Sequence, residues 1–385
     1  MQTDITTASQ TAHDLDRHAK TRSIVWDVPV RLFHWSLVIL VGTTLITGFL
    51  APEWWLDIHI WAGYGIGLLI ALRILWGFYG STYARFSNFL FPVRETLTFL
   101  RQLAKGRPAH YTGHNPAGAL MVFALLAVLG ALTISGLIVL GGQEKQGVLA
   151  GLISFSFGKA MAKWHELLAF LVLSMIVAHI LGVFLESVLA KENLIRAMIT
   201  GRKKKLPLET ARPILHAAPD QIYLSISVII IAAILAVGSV MWIKPRGLTP
   251  MPINTSYSTE CGDCHHAYHP SLLPEKSWNL IMAGLSDHFG EDASLDESTT
   301  NELTAYLKTY AAERWDSEAA NNLRWTSRSE PLSISASPYW VRRHQDIEKT
   351  VFVQKTVGSK GNCIACHKDA SSGRFDDQKI DIPKK

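Results

Sequence analysis

The sequence predicts an all-α membrane protein that ends in a water-soluble domain, and three observations lead to this fold class. Of the 385 residues, 48% are hydrophobic and only 18% are charged, whereas soluble domains contain about 25% charged residues. The apolar residues are concentrated in blocks before residue 244, and the remainder of the chain is polar. All 4 cysteines lie in that polar part. This composition excludes a disordered, collagen-like or coiled-coil chain.

Five apolar blocks are long enough to cross a membrane, because a spanning helix needs about 20 predominantly apolar residues. The blocks cover residues 32–50, 58–79, 117–141, 164–189 and 221–243. The polar residues 1–22 contain no apolar stretch, so we expect no cleavable signal peptide. The first span is then expected to act as an uncleaved insertion signal.

The positions of Lys and Arg predict the orientation, because cytoplasmic loops carry an excess of both residues. Basic residues are concentrated before span one, between spans two and three, and after span four. Loop 51–57 has no Lys or Arg, and loop 142–163 has only lysines. We therefore expect a cytoplasmic N-terminus and an external C-terminal domain. The basic run 201–205 is interpreted as an anchor beside anionic lipid rather than as a nucleic-acid site.

Both cysteine pairs belong to Cys-x-x-Cys-His motifs. These are Cys261-Gly-Asp-Cys264-His265 and Cys363-Ile-Ala-Cys366-His367. The pattern is typical of covalent c-type haem, in which two thioethers hold the porphyrin and the adjacent His binds the iron. A zinc site or two redox dithiols would not require a His after each cysteine pair. We therefore expect two haem c groups.

Each haem c iron needs a second axial ligand. His288 and His344 are predicted to serve, and His269 is the alternative. Ligation by two His residues predicts low potentials, because a thioether ligand raises the potential. Three further candidates remain. His266 directly follows the proximal ligand His265 and is poorly placed to bind the same iron, and Met251 and Met282 could each supply a thioether.

Four histidines lie within or beside the apolar blocks: His34, His59, His165 and His179. Ionisable residues at membrane depth are costly and usually functional. His165 and His179 are about 21 Å apart along one helix face, so one lies near each membrane surface. The topology places His34 level with His179, and His59 level with His165. This predicts two haem b groups, each held between two His in a helix bundle; the alternative is four structural hydrogen bonds.

Several motifs in the membrane part carry a family resemblance: Val25-Trp-Asp-Val-Pro-Val-Arg31, His34-Trp35, Arg73-Ile-Leu-Trp-Gly77 and Gly113-His-Asn-Pro-Ala-Gly118. Residues 24–200 resemble the bacterial di-haem cytochrome b family, which includes cytochrome b561 and the membrane subunits of NiFe-hydrogenases and respiratory formate dehydrogenase. The resemblance implies that the four membrane histidines are haem ligands. It also makes Arg31 and Arg73 candidate partners of the haem propionates; the alternative for Arg73 is extension of its side chain to the membrane surface.

The polar part carries a second resemblance, through the motifs Glu260-Cys-Gly-Asp-Cys-His265, Leu273-Pro-Glu-Lys-Ser-Trp278, Asp287-His-Phe-Gly-Glu-Asp-Ala-Ser-Leu295 and Asn362-Cys-Ile-Ala-Cys-His367. Over residues 255–384 the chain is similar to periplasmic di-haem cytochromes c. The resemblance supports His288 and His344 as distal ligands without assigning either one to a particular haem. The fusion differs from hydrogenase-type subunits, which dock a separate iron–sulfur protein.

This arrangement favours electron exchange between the membrane quinone pool and a periplasmic soluble cytochrome or redox enzyme. No pattern for hydrolysis, nicotinamide binding or nucleic-acid binding accompanies it. A quinone is expected as substrate, with His114 and Asn115 as its candidate partners near the predicted His34–His179 haem. Alternatively, Asn115 caps span three ahead of Pro116.

Two other functions stay open. One is a membrane anchor and electron-transfer subunit of a larger respiratory dehydrogenase or reductase complex. The other is a terminal reductase with an open position at a haem c. A homo- or hetero-oligomer is compatible with each of these functions.

The predicted architecture places the chain in the bacterial inner membrane. The fold class is an all-α membrane protein with a four-helix haem-binding bundle, a fifth tether helix and a small, mostly helical or irregular c-type cytochrome domain. Segment 291–323 is predicted to form one or two amphipathic helices of that domain. The predicted parts are a cytoplasmic arm (1–23), a di-haem cytochrome b domain (24–200), a basic cytoplasmic linker (201–220), a fifth transmembrane helix (221–243) and a periplasmic di-haem cytochrome c domain (244–385).

Overall fold

The computed structural model describes residues 22–204 and 251–383 without residue 253, and only five residues between these ranges: Tyr223, Ser227, Ile230, Ile231 and Ile234. Most of the predicted cytoplasmic arm, basic linker and fifth span therefore lies outside the described residues. The chain divides into two compact units. The membrane unit covers Met1–Leu50, Ile58–Ile134 and Trp164–Trp242, and the C-terminal unit covers Ala51–Asp57, Ser135–Lys163 and Ile243–Lys385.

Four long helices match the first four predicted spans. Each begins before the corresponding apolar block, and each is long and apolar enough to cross a membrane. At most 22% of the most apolar window of any of these helices is buried within the protein, because the outward faces of membrane helices contact lipid. The four helices are α1 (Val28–Phe49), α2 (Leu56–Tyr79), α4 (Pro116–Gly142) and α5 (Phe155–Leu189).

The four spans share one apolar core. Val41 of α1, Ile66 of α2, Leu129 of α4 and Val172 of α5 are each less than 9% exposed and pack in a single cluster. Close contact between α2 and α4 depends on Gly67, since a Cβ atom at this position would lie 2.8 Å from the Thr133 Cγ2 atom. The core therefore contains a residue from every span.

Further short elements flank the spans. Strands β1 and β2 pair antiparallel, with Ser23 opposite Lys203. The sequence analysis did not predict this ribbon, because an isolated pair of three-residue strands has no strong local signal. The short elements are β1 (Arg22–Ile24), α3 (Val93–Ala104), α6 (Leu194–Thr200) and β2 (Arg202–Lys204).

Asp27 ties the ends of the first two spans together. Its carboxylate accepts a hydrogen bond from the Val30 backbone N–H at 2.8 Å and thereby caps α1. The same side chain accepts hydrogen bonds from Trp76 Nε1 at 2.9 Å and from the Ser81 hydroxyl. The Trp-Asp-Val-Pro motif therefore begins one helix and positions the end of the next.

The C-terminal unit consists of short helices joined by turns and loops. Leu303 and Leu307 are at most 1% exposed and pack with Trp278 and Ile281 in its core. Segment 291–323 contains α9 and α10, and the mostly helical fold class is confirmed. The helices are α7 (Thr255–Glu260), α8 (Glu275–Ala283), α9 (Glu297–Thr309), α10 (Glu318–Leu323), α11 (Pro338–Arg343) and α12 (Lys349–Phe352).

Two loops that join membrane helices also belong to the C-terminal unit. In α11, Arg343 forms ion pairs with Glu53 and with Asp377, both at 2.6 Å. Lys145, which is 7% exposed, pairs with Asp316 at 2.7 Å. Loops 51–57 and 142–163 are predicted to lie on the same side of the membrane as the C-terminal domain, and this packing supports that arrangement.

Three carboxyl groups meet near Arg343 and form what we call the carboxylate cluster: Glu144, Glu318 and Asp377. Glu318 is 8% exposed and accepts a hydrogen bond from the Tyr339 hydroxyl at 3.3 Å. Burial raises the pKa of Glu318 to about 7, although the Arg343 guanidinium opposes the rise. Burial and the neighbouring carboxylates also raise the pKa of Glu144. The cluster therefore retains protons that exposed carboxyl groups would lose.

We predict that Glu318→Gln weakens the pH dependence of stability. The pKa of Glu318 is higher in the folded than in the unfolded state, so its stabilising contribution is lost as pH rises through about 7. Gln is neutral throughout this range. Since one pKa unit corresponds to about 1.4 kcal/mol, on the order of 2 kcal/mol of the pH-dependent loss should disappear.

The measurement is the melting temperature of the full-length protein at pH 5.5 and at pH 8. The exposed Glu297→Gln variant is the control and should melt with the wild-type pH dependence. An equal fall in melting temperature for wild type and Glu318→Gln would contradict the prediction.

Candidate functional site

The four membrane histidines form two facing pairs. His34 of α1 faces His179 of α5, with ring centroids 6.5 Å apart. His59 of α2 faces His165 of α5, with ring centroids 6.2 Å apart. Because His165 and His179 are nearly four full turns apart on α5, one helix face serves both pairs. The structure thus brings together the same partners that the predicted topology paired.

Both Cys-x-x-Cys-His motifs also have a facing His. The His265 ring centroid lies 6.2 Å from that of His288, and the His367 centroid lies 6.1 Å from that of His344. The geometry therefore pairs His288 with the first motif and His344 with the second. The sequence predicted both histidines as distal ligands but did not assign either one to a particular motif.

All four separations suit one metal ion between two imidazoles. Two metal–nitrogen bonds of about 2 Å in line, plus the distance from each nitrogen to its ring centre, add to about 6 Å. Haem iron takes its other four ligands from the porphyrin and needs axial ligands only. The four His–His gaps, at 6.1 to 6.5 Å between centroids, therefore fit haem.

Backbone carbonyls orient two of the C-terminal rings. The His265 Nδ1 atom lies 2.9 Å from the His266 carbonyl oxygen. The His344 Nδ1 atom lies 2.9 Å from the Trp340 carbonyl oxygen, and the His344 ring stacks on Trp340 at a centroid distance of 4.1 Å. A proton on Nδ1 in each ring leaves the Nε2 lone pair available to a metal.

Each cysteine motif lies on a tight turn. In the second motif the His367 backbone N–H donates to the Cys363 carbonyl at 2.9 Å. Burial raises the pKa of Cys261 and of Cys363 to about 11, so both side chains are thiols at neutral pH. The described cysteines form no disulfide, and all four are available for thioether attachment.

His269, the alternative distal ligand, has a structural position instead. Its side chain is 3% exposed, lies 2.8 Å from the Ser271 hydroxyl and packs against Trp315 at 4.9 Å between ring centroids. A Cβ atom at Gly373 would lie only 2.4 Å from its Nδ1 atom. His269 therefore fills a closely packed space and faces neither motif histidine.

The two thioether alternatives also have other contacts. Met251 accepts a hydrogen bond from the Tyr306 hydroxyl at 3.4 Å, and Met282 is buried in the apolar core of the C-terminal unit. His266, whose Nε2 atom is buried, packs against the ring of Tyr268 at 6.2 Å. None of these three side chains lies opposite one of the paired histidines.

The two candidate arginines present unpaired nitrogen atoms. Arg73 is 4% exposed and lies over the Phe86 ring, with 4.9 Å between its Cζ atom and the ring centroid, so it does not extend to the membrane surface. Arg31 donates from NH1 to the Ile199 carbonyl at 2.6 Å. Within the described residues, Arg73 NH1 and Arg31 Nε are buried without a hydrogen-bond partner. Such donors suit an anionic group such as a propionate.

The two candidate quinone partners have different surroundings. The His114 ring lies between Trp26 and Phe89, at centroid distances of 4.6 and 4.2 Å. Its buried Nδ1 atom has no hydrogen-bond partner among the described residues, and burial lowers its pKa to about 3. Asn115 accepts from the Gly118 N–H at 2.6 Å and donates to Glu186. Asn115 therefore caps α4, as the alternative interpretation expected.

Two family models match separate parts of the chain. The model for prokaryotic cytochrome b561 matches residues 25–201, and the model for dihaem cytochrome c matches residues 257–375. The chain is a cytochrome b561 domain joined to a dihaem cytochrome c domain. Both expected resemblances are thereby confirmed. The protein is an integral membrane cytochrome, its cofactors include haem b and haem c, and its function is transmembrane electron transfer.

Relatives of the cytochrome b561 domain include probable Ni/Fe-hydrogenase B-type cytochrome subunits. The Escherichia coli K12 protein is 23% identical over 210 residues, which cover 46% of this chain and 88% of that protein. The Azotobacter vinelandii protein is 25% identical over 214 residues, which cover 47% of this chain and 88% of that protein.

Solved structures similar to this chain are dihaem cytochromes c. One from Rhodobacter sphaeroides is 37% identical and covers 33% of this chain and 100% of its own, with a TM-score of 0.29. One from Shewanella baltica OS155 is 34% identical and covers 34% of this chain and 94% of its own, with a TM-score of 0.28.

We predict that His269→Ala destabilises the cytochrome c domain without loss of haem c. The variant removes a buried ring and its hydrogen bond, at a cost of roughly 1–3 kcal/mol. Thermal melting and the haem c content of the full-length protein test this. High-spin haem c in His269→Ala would show that this His is a ligand and would contradict the prediction.

Proposed function

We propose that the chain holds two haem b groups and two haem c groups and exchanges electrons between membrane quinones and a soluble periplasmic cytochrome or redox enzyme. The observation that carries the proposal is the set of four His–His gaps, each 6.1 to 6.5 Å between ring centroids. Two gaps lie between spans and two lie in the cytochrome c domain. Together they provide sites in both parts of the chain.

The chain's own residues would hold and orient each haem. In the membrane domain His34 with His179 and His59 with His165 would hold the two irons, and Arg31 and Arg73 would bind the propionates. In the cytochrome c domain each cysteine pair would hold a porphyrin covalently. The irons of this domain would be held by His265 with His288 and by His367 with His344. When bound, the haems would supply reversible one-electron chemistry.

Closed axial positions favour electron transfer over a terminal reductase. At each gap both axial ligands come from the protein, so a small substrate has no open position at the metal. Burial lowers the pKa of His367 to about 4 and also lowers the pKa of His344 and His288. All three rings are therefore neutral at physiological pH, and neutral imidazole is the form that binds iron.

We propose a bacterial inner-membrane location with a cytoplasmic N-terminus and a periplasmic C-terminal domain. The basic residues before span one, between spans two and three and after span four support this orientation. The packing of loops 51–57 and 142–163 with residues of the C-terminal domain supports it as well.

We assign the quinone to the end of the bundle at which His114 lies. A quinone carbonyl needs a hydrogen-bond donor, and the Nδ1 atom of His114 has no partner among the described residues. Both polar groups of Asn115 are already used, by Gly118 and Glu186. His114 is therefore the stronger of the two candidates.

A second function is that of membrane subunit in a larger respiratory dehydrogenase or reductase complex, as a homo- or hetero-oligomer. The similarity of residues 25–201 to B-type cytochrome subunits of hydrogenases favours it. In that case a catalytic partner would copurify with the protein, whereas a soluble electron carrier would dissociate during purification.

The haem count tests the ligand assignment. A pyridine haemochrome spectrum of the detergent-purified protein should show two haem b and two haem c groups per chain. His59→Ala and His34→Ala should each lose one haem b and retain both haem c groups, because each variant removes an axial ligand from one gap. An unchanged haem b content in both variants would contradict the assignment.

The quinone site is tested separately. His114→Leu should slow reduction of the haems by a quinol by about tenfold or more, because a buried hydrogen bond to the carbonyl is lost. Haem content should stay at the wild-type value. Asn115→Ala is the matched control: it should lower the melting temperature through the lost cap and leave the quinol rate nearly unchanged. The reverse pattern would assign the quinone to Asn115.

A further inference from the structure

The two membrane His pairs differ in what their outer ring nitrogens contact. At one pair, His59 Nδ1 lies 3.0 Å from the Thr47 hydroxyl oxygen on α1. At the other pair, the Nδ1 atom of His34 is buried and has no hydrogen-bond partner among the described residues. The neighbour of the His34 ring is Trp35, at 5.2 Å between ring centroids.

The direction of the Thr47–His59 hydrogen bond follows from the helix. Thr47 Oγ1 lies 2.8 Å from the Thr43 carbonyl oxygen and 3.3 Å from the Thr44 carbonyl oxygen. A hydroxyl has one proton, and the nearer carbonyl accepts it. The oxygen therefore presents a lone pair to His59, so the proton of this hydrogen bond is on Nδ1. The backbone carbonyl of Thr44, one turn earlier on α1, also accepts a hydrogen bond from the His59 ring. The Nε2 lone pair of His59 is then available to the metal site.

Gly48, the next residue of α1, leaves room for the same ring. A Cβ atom at this position would lie 3.3 Å from His59 Cε1 and 3.6 Å from His59 Nδ1. The first distance is shorter than ordinary van der Waals contact. Thr47 and Gly48 thus act together, the first by a hydrogen bond and the second by its lack of a side chain. They hold the His59 ring in one orientation.

The facing ligand of the same pair also has an acceptor. The backbone carbonyl of Leu132 on α4 accepts a hydrogen bond from the His165 ring. The His59–His165 pair is therefore supported from two different helices. For His34 no such acceptor is found among the described residues, so the two pairs are unequal in this respect.

A hydrogen-bond acceptor on the outer nitrogen makes an imidazole a more basic ligand. A more basic ligand stabilises the oxidised iron more than the reduced iron, which lowers the reduction potential. We propose that Thr47 is a positioning residue for His59 and that its hydrogen bond, with those of the Thr44 and Leu132 carbonyls, makes His59–His165 the lower-potential haem b site. This inference rests on the proposed ligation of haem b by the four membrane histidines.

The order of potentials has a consequence for the direction of electron transfer. At equilibrium a single electron distributed between the two membrane sites would reside mainly at the higher-potential site, His34–His179. Since His34 lies in the first turns of α1 and His114 packs against Trp26 just before that helix, this is the end proposed for the quinone. The hydrogen bonds to His59 and His165 would therefore favour quinone reduction over quinol oxidation.

The test is a redox titration of the haem b absorbance in full-length, detergent-purified protein, with Thr47→Val, Thr47→Ser and Thr43→Val. Val has the shape of Thr without the hydroxyl acceptor, and Ser retains this hydroxyl; the Thr44 carbonyl is present in all of these variants, so the comparison isolates the hydroxyl of residue 47. Thr43 is the matched control, because its hydroxyl donates within α1 to the Ile39 carbonyl at 2.9 Å. Low-spin electron paramagnetic resonance signals of the two haem b groups give an independent readout of ligand geometry.

We expect Thr47→Val to raise the lower of the two haem b midpoints and to leave the higher one unchanged. The equilibrium constant for electron exchange between the sites should change by about three- to tenfold, where tenfold corresponds to 59 mV for one electron. Thr47→Ser and Thr43→Val should keep both wild-type midpoints. Loss of one haem b from Thr47→Val alone, with retention in Thr47→Ser, would also support the positioning role.

Unchanged midpoints in Thr47→Val, or a shift confined to the higher midpoint, would overturn the inference. Equal loss of haem b from the Val and Ser variants would overturn it as well, because Ser retains the acceptor. A wild-type protein with fewer than two haem b groups would overturn the ligation itself. The haem count therefore separates that failure from a wrong order of potentials.

Discussion

The pairing of two histidine rings on one face of α5 with histidine rings on α1 and α2 is the interaction on which the arrangement of the membrane domain depends. His165 and His179 lie on the same side of α5, and each faces a His of a different helix, at 6.2 and 6.5 Å between ring centroids. These two pairs place α1 and α2 at matching depths along α5. Other contacts serve the same purpose: Asp27 joins the ends of α1 and α2, and Gly67 allows α2 to approach α4 closely.

In the cytochrome c domain the same pairing of histidine rings is found with much less regular structure. Short helices and turns surround a small apolar core at Leu303 and Leu307. The distal histidines lie at chain positions held by local hydrogen bonds, such as the one from His344 to the Trp340 carbonyl. Buried polar side chains that face neither motif histidine, such as His269, fill the remaining space.

Within the C-terminal unit, charged residues connect the loops of the membrane helices to residues after 243. Arg343 lies directly before the distal residue His344 and is held by Glu53 and Asp377. Removing one member of such a network leaves the others without a partner, which is costly where they are buried. The loops that join the spans are thus part of the structure that supports the second cytochrome c site, although they lie far from it in sequence.

The sequence alone predicted the first four spans, the cysteine motifs and the four membrane histidines that the structure places in facing pairs, because helix length, motif spacing and helical period are local properties. It predicted His288 and His344 as distal ligands with His269 as the alternative, and only the tertiary structure showed which of the first two faces which cysteine motif. It did not decide whether Asn115 caps α4 or binds a quinone, and it contained no sign that Thr47 faces His59. These outcomes depend on contacts between residues distant in sequence, and no local pattern reports which side chains such contacts bring together.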